Sequence, residues 1–255
     1  MSRDRSRAWP GLAAVLWLGV VAGCGSTTMP AVHSEPERLD LARKAMARHD
    51  YSVAVDLLKS YVANNGGSRD VDEAIYRLGM SYMGMREFPS AQVEFERLVR
   101  DYPESDSCPS AAFRLGEALM AQTRPRDFDQ EYTRKALDQW KDYLASYNGH
   151  WLNPEARRRI ADAQEELAIK LGDAGRLYYK MRLIGPARVY FRRVLDEYPD
   201  TREAGEAQLG IAMCDARDGH RTEAIAQLRQ IEAAYPGGSL ARRAAIERVR
   251  LEHGS

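Results

Sequence analysis

The most reactive side chains in this sequence are three thiols, Cys24, Cys108 and Cys214, and five imidazoles, His33, His49, His150, His220 and His253. The imidazoles are scattered, and no two stand four residues apart as a helical metal site requires. No Gly-rich phosphate loop and no Gly-x-Ser-x-Gly nucleophile elbow occurs. Carboxylates such as Glu165-Glu166 lie in charge-rich helical sequence, where a solvated face accounts for them. No enzymatic activity, metal or cofactor is expected. Cys24 differs because of what precedes it. Arg3, Arg5 and Arg7 lead into an uncharged apolar run, Gly11 to Ala22, which closes in Val21-Ala22-Gly23-Cys24.

A bilayer span needs about 20 apolar residues, more than this run provides, and Pro10 breaks its leading end. A basic start, a short apolar stretch and small residues read as a secretory signal. The last four residues resemble the bacterial lipobox, whose cysteine is diacylated and becomes the new N-terminus. Residues 1–23 are therefore expected to be a cleaved signal. Residues 24–36 then form a lipidated start and a flexible Ser/Thr/Pro tether. Each buried acyl methylene contributes about 0.8 kcal/mol, so two chains anchor firmly where one does not. Gly25, directly after the cysteine, resembles an outer-membrane address.

The elements beyond the tether are self-similar. Five segments share Ala-x3-(large apolar)-x2-(apolar): Ala54…Leu58…Tyr61, Ala91…Phe95…Leu98, Ala136…Trp140…Tyr143, Ala187…Phe191…Val194 and Ala224…Leu228…Ile231. Steps of three and four place each set on one helix face. Eleven residues after each alanine stands a stop: Asn65-Gly66, Tyr102-Pro103, Tyr147-Asn148, Tyr198-Pro199 and Tyr235-Pro236. Proline cannot continue a helix, and Asn-Gly suits a left-handed cap. A partner helix precedes each, marked by Ala42, Leu78-Gly79-x2-Tyr82, Leu115-Gly116-x2-Leu119, Gly175-x2-Tyr178 and Leu209-Gly210-x2-Met213. The small residue lets two helices approach, the facing alanine keeps the crossing tight, and the large residue is expected to fill the gap between repeats.

This rhythm resembles the tetratricopeptide pattern L-G-x2-Y…A-x3-F…P. It predicts an all-α superhelical solenoid of about five helix-turn-helix repeats over residues 37–253. The repeats fall near 37–66, 71–103, 109–148, 154–199 and 202–236, followed by a short C-terminal helix. The alanines are spaced 37, 45, 51 and 37 residues apart. The excess predicts a loop over Thr123–Gln130 and one long helix from Pro154 to about Arg182. Cys108 and Cys214 fall in the third and fifth repeats, which are not neighbours. An oxidising compartment permits disulfides, but two free, packed thiols are expected.

Lipobox, tether and five repeats together resemble the BamD-like lipoproteins of the outer-membrane β-barrel assembly machinery, over nearly the whole chain. More specific are Arg126-Asp127 in the third-repeat loop, Thr133-x2-Ala136-Leu137, and Tyr198-Pro199-Asp200-Thr201 closing the fourth repeat. The resemblance implies a lipid-anchored scaffold on the periplasmic side of the outer membrane. Its partners would be the β-barrel insertase, companion lipoproteins and unfolded outer-membrane protein segments. A periplasmic tetratricopeptide adaptor for cell-envelope synthesis or division is the alternative. A third reading, the solenoid arm of a cell-wall enzyme, needs a further domain.

Two surfaces are candidates for contact. In tetratricopeptide arrays the first helices line the inner face, which here points to Leu39, Arg43, Met46, Glu73, Tyr76, Met80, Met83, Phe113, Glu117 and Met120. Methionine adapts to varied apolar partners, so Arg43, Met46, Tyr76, Met80, Met83, Phe113, Glu117 and Met120 could line a peptide groove; equally, the methionines could pack between helices. Arg192, Arg193, Arg202 and Arg217 near the last repeats could dock a partner carboxylate, or could lie on a solvated helix face. Lysine plus arginine and aspartate plus glutamate each number 37, so no clustered basic surface for nucleic acid is expected.

Overall fold

The computed structural model describes Val32 and residues 34–254; Cys24 and the proposed signal and tether up to residue 31 lie outside the described residues. Eleven helices follow in order: α1 Glu35–Ala47, α2 Tyr51–Asn64, α3 Val71–Gly84, α4 Phe88–Asp101, α5 Cys108–Met120, α6 Glu131–Ser146, α7 Asn153–Lys180, α8 Ile184–Glu197, α9 Arg202–Arg217, α10 Arg221–Ala234 and α11 Ser239–His253. Among the described residues there is no strand. The first ten helices pair in sequence as five helical hairpins and α11 packs on α10 and α9, which is the all-α solenoid read from the repeat.

The helix ends repeat as the cores do. Each second helix is capped by the residue eleven after its alanine: Asn65, Tyr102, Tyr147, Tyr198 and Tyr235 each donate a backbone N–H to the carbonyl four residues back. Asn65 has φ −128°, and Gly66 is not among the positive-φ glycines, so the left-handed cap expected there does not form. The left-handed residue sits instead at the turn inside a hairpin. His49, Arg86 and Arg182 have φ of 61°, 62° and 62°, and Gly219 has 88°; each lies five residues before the alanine of its repeat. The next residue's N–H (Asp50, Glu87, Leu183, His220) reaches back to Ala45, Tyr82, Tyr178 and Asp215, a Schellman closure. Only the fifth repeat uses the residue type that this conformation favours.

The five repeat alanines are fully buried. The large residue four positions on lies across the glycine of its own hairpin, and Phe191 also reaches into the gap before the next repeat, as expected from sequence. A Cβ at Gly79 would stand 2.6 Å from Phe95, and one at Gly175 would stand 2.7 Å from Phe191. Gly116 faces Trp140 in the same way. Gly210 breaks the rule, because it meets Phe191 of the preceding repeat. In that last hairpin Ala212, twelve residues before Ala224, is the buried small residue and shares a cluster with Leu228.

Helix α7 has 28 residues, about 42 Å at 1.5 Å per residue, and packs against α6, α8 and α9. The apolar cluster that begins at Leu39 ends on it at Leu167, and the next begins at Ala168. The Thr123–Gln130 insertion is held against this helix. Arg126 pairs with Glu166 at 3.1 Å and Asp173 at 3.6 Å, and Lys170 Nζ donates to the Arg126 and Phe128 carbonyls. Buried Gln130 donates from its amide to the carbonyls of Arg124, Pro125 and Phe128 and accepts from Thr133 Oγ1 at 3.0 Å. Cys108 and Cys214 are both free and buried.

Gly79→Val drives a branched side chain into Phe95 and should lower stability by about 1–3 kcal/mol. Arg86→Gly relieves a left-handed residue in an exposed turn and should leave stability unchanged or raise it by up to about 1 kcal/mol. Urea denaturation of the two variants beside the parent chain measures both.

Candidate functional site

In the first three hairpins, the charged members of the predicted groove are held in ion pairs between first helices. Arg43 Nη2 on α1 donates to both oxygens of Glu73 on α3, at 2.8 and 3.0 Å, and Arg77 Nε donates to the same carboxylate at 2.7 Å. Burial works against ionisation of Glu73, but hydrogen bonds from Arg77 and Arg43 prevail and hold its carboxyl below the usual range. Farther along, Glu117 on α5 accepts from Arg114 and, at 3.1 Å, from Arg159 on α7; Arg159 also pairs with Glu155. First helices of consecutive hairpins are thus tied by carboxylates shared between two guanidinium groups.

Met46, Met80, Met83 and Met120 are half-buried and pack on the main apolar cluster, as does Tyr76. Tyr76 also lies 6.0 Å from the Phe95 ring. These five leave part of each side chain available at the surface. Phe113 does not. It is 1% exposed and packs against Trp140 and Tyr143, with ring centroids 6.4 and 5.7 Å away. Gly116 faces Trp140 as Gly79 faces Phe95, so Phe113 holds the same place in its repeat as Tyr76, and it is the rings of Trp140 and Tyr143 that cover it.

The four C-terminal arginines are not brought together. Arg202 and Arg217 stand at opposite ends of α9, about 22 Å apart along the axis. The Arg202 backbone N–H donates to Glu165 at 2.8 Å; Arg217 lies over the Tyr179 ring at 4.2 Å. Arg193 pairs with Glu197 at 2.8 Å, and Arg192 is exposed on α8. Sequence reasoning missed a cavity near them, between α7, α9 and α11 and lined by Tyr179, Leu209, Met213 and Ile246. The available signal was Ile246 and Val249, one turn apart and both exposed on an otherwise charged helix.

Neither buried thiol is set up as a nucleophile. Desolvation pushes Cys214 up to about 11, and Cys108 Sγ contacts Tyr147 Oη at 3.2 Å. Among the described residues no group of three or more His, Cys, Asp or Glu could hold a metal. Among the same residues no helix is long and apolar enough to cross a membrane.

Eleven helices paired in this register define a tetratricopeptide-type solenoid, and residues 206–238 match the tetratricopeptide repeat itself. Residues 81–218 match the YfiO family, described as outer membrane lipoprotein, and the chain belongs to that family. The outer membrane protein assembly factor BamD of Caulobacter vibrioides is 25% identical over 201 residues, covering 77% of this chain. The aligned part spans 66% of that relative's length. Similar solved structures include a tetratricopeptide protein of Bacteroides fragilis, at TM-score 0.49 and 10% identity over 87% of this chain and 99% of that one. Another, from Thermus thermophilus, has TM-score 0.37 and 20% identity over 85% and 100%.

Glu73 titrates low because two arginines hold it ionised, so its contribution to stability is present above the ordinary glutamate pKa of about 4.3 and is lost as pH falls through its lower folded value. Arg43→Ala should move the Glu73 titration midpoint upward while α3 keeps its fold, as read by carboxyl carbon NMR shifts. An unmoved midpoint would exclude Arg43 as a determinant.

Proposed function

We propose that this protein is a scaffold lipoprotein of the outer-membrane β-barrel assembly machinery. In this reading the lipid on Cys24 anchors it at the outer membrane, facing the periplasm, and the repeats work by protein–protein contact without catalysis. The observation that carries the reading is the family match over residues 81–218, supported by the relative named as an assembly factor. The partners would be the β-barrel insertase, companion lipoproteins and unfolded outer-membrane protein segments. Half-buried Met46, Tyr76, Met80, Met83 and Met120, with Arg43 and Glu117 beside them, would form the adaptable part of a peptide-binding face; Phe113 would support it from the core. Exposed Arg192, Arg193, Arg202 and Arg217 would serve as separate docking points.

Detergent extraction of envelope membranes and affinity isolation of the tagged chain should recover the β-barrel insertase. Recovery of a peptidoglycan synthase with no insertase would favour the adaptor of envelope synthesis or division. Cys24→Ser should move an intact, folded solenoid from the membrane to the soluble periplasmic fraction and abolish complementation. Full complementation by the soluble form would remove the anchor from the mechanism.

A further inference from the structure

Charge is balanced over the whole chain but segregated at one hairpin. From Ala174 to Leu195 the sequence holds six lysines and arginines and no aspartate or glutamate. These residues form the end of α7, the turn after it and most of α8. Arg176 is engaged by Asp173 and Glu203, Arg188 by Asp215 and Asp218, and Arg193 by Glu197. Lys180 and Arg182, the two cations at the turn itself, are exposed and have no carboxylate within ion-pairing distance among the described residues.

The same turn carries large apolar side chains that the hairpin does not use. Leu177 and Met181 are each 57% exposed and Leu183 is 44% exposed. Four residues apart, Leu177 and Met181 share one face at the end of α7. Packing within the hairpin is supplied by other residues: Gly175 and Ala187 are buried, Phe191 lies on Gly175, and the Tyr178 and Tyr190 rings stack at 5.3 Å. The turn is fixed in shape, with Arg182 at φ 62° and the Leu183 N–H donating to the Tyr178 carbonyl at 3.0 Å. Three apolar side chains and two unpaired cations are therefore presented together at the end of a closed hairpin.

We propose that the α7–α8 turn rests on an anionic phospholipid surface, with Leu177, Met181 and Leu183 entering the headgroup boundary and Lys180 and Arg182 pairing with lipid phosphates. Apolar side chains interleaved with cations, whose stems can lie along the apolar layer while their heads stay wet, have the chemistry of an interfacial membrane contact. Basic residues gathered at one point add an attraction to anionic lipid that salt screens. A protein hot spot is built differently, around anchors desolvated in a fitted pocket, whereas these side chains stand at a hairpin end with the cations between them. The inference rests on the reading that a lipid on Cys24 holds the chain at a membrane, and it adds a second contact that sets orientation.

The test reconstitutes the full chain into vesicles of phosphatidylethanolamine and phosphatidylglycerol, with a polarity-sensitive fluorophore on Met181→Cys or, separately, on Leu183→Cys. Both positions are exposed, so helical signal should be kept, and Cys108 and Cys214 are buried, so the parent chain gives the labelling background. Emission from either probe should shift to the blue on reconstitution, and bromine-bearing lipids should quench it at least twofold. Lys180→Glu combined with Arg182→Glu, or replacement of phosphatidylglycerol by phosphatidylcholine, should return both probes to water while the chain still floats with the vesicles. Flotation with both probes unquenched overturns the proposal and leaves the anchor standing. Quenching that ignores the charge reversal and the lipid change also overturns it, because the cations then recognise nothing. A blue shift without lipid quenching overturns it in favour of a protein occupant, a second copy of the chain included. A chain that does not float at all removes the anchor and the proposal together.

Discussion

Two helices can cross closely only where one of them offers almost no side chain, and this constraint organises the solenoid. Phe95 lies on Gly79, Trp140 on Gly116 and Phe191 on Gly175. Each ring fills the volume that a Cβ would otherwise claim, while a fully buried alanine one turn earlier keeps the same crossing tight. Trp140 adds a polar tie, donating its indole N–H to the Phe113 carbonyl at 3.2 Å. A single hairpin built this way still exposes an apolar flank. Phe191 shows how the flank is covered: the next hairpin sets Gly210 against the ring's other edge. Stacking therefore extends the hairpin contact, using the same small-against-large pairing between repeats.

The inner surface divides into two chemistries. Along the first three hairpins, guanidinium and carboxylate groups are spent on one another, from Arg43 and Glu73 to Glu117 and Arg159. Exposed pairs of this kind contribute little to stability, but they fix the spacing of successive first helices and leave the methionines as the adaptable contacts between them. Beyond α7 ion pairs continue, but the surface opens into the cavity between α7, α9 and α11.

Most of the architecture was legible in the sequence because it is carried by short-range rules. The alanine–aromatic spacing fixed five second helices, and the residue eleven positions on marks the cap in all five. The excess spacing predicted both the insertion and the long helix. What was not legible depends on through-space neighbours. Nothing local distinguishes Phe113, buried by the rings of Trp140 and Tyr143 on the next helix, from Tyr76, which stays half-buried. The left-handed turn residues were equally hidden, since His49, Arg86 and Arg182 are not types that announce such a conformation. The α7–α9–α11 cavity requires three helices separated in sequence. The register that identified hairpins had no place for the exposed face of α11.

The shared helix α7 has a mechanical consequence. Solenoids unfold roughly as chains of nearest-neighbour units, each able to fray from an end. Here the boundary between the first apolar cluster and the second falls between Leu167 and Ala168, inside one unbroken helix. No linker exists there to absorb a bend. Flexing one half against the other must strain hydrogen bonds along a rod about 42 Å long, and the insertion clamped by Arg126 and Lys170 stiffens its middle. A load applied to the last hairpins is therefore carried as torque into the third, and melting of either half takes with it the strut on which the other is built.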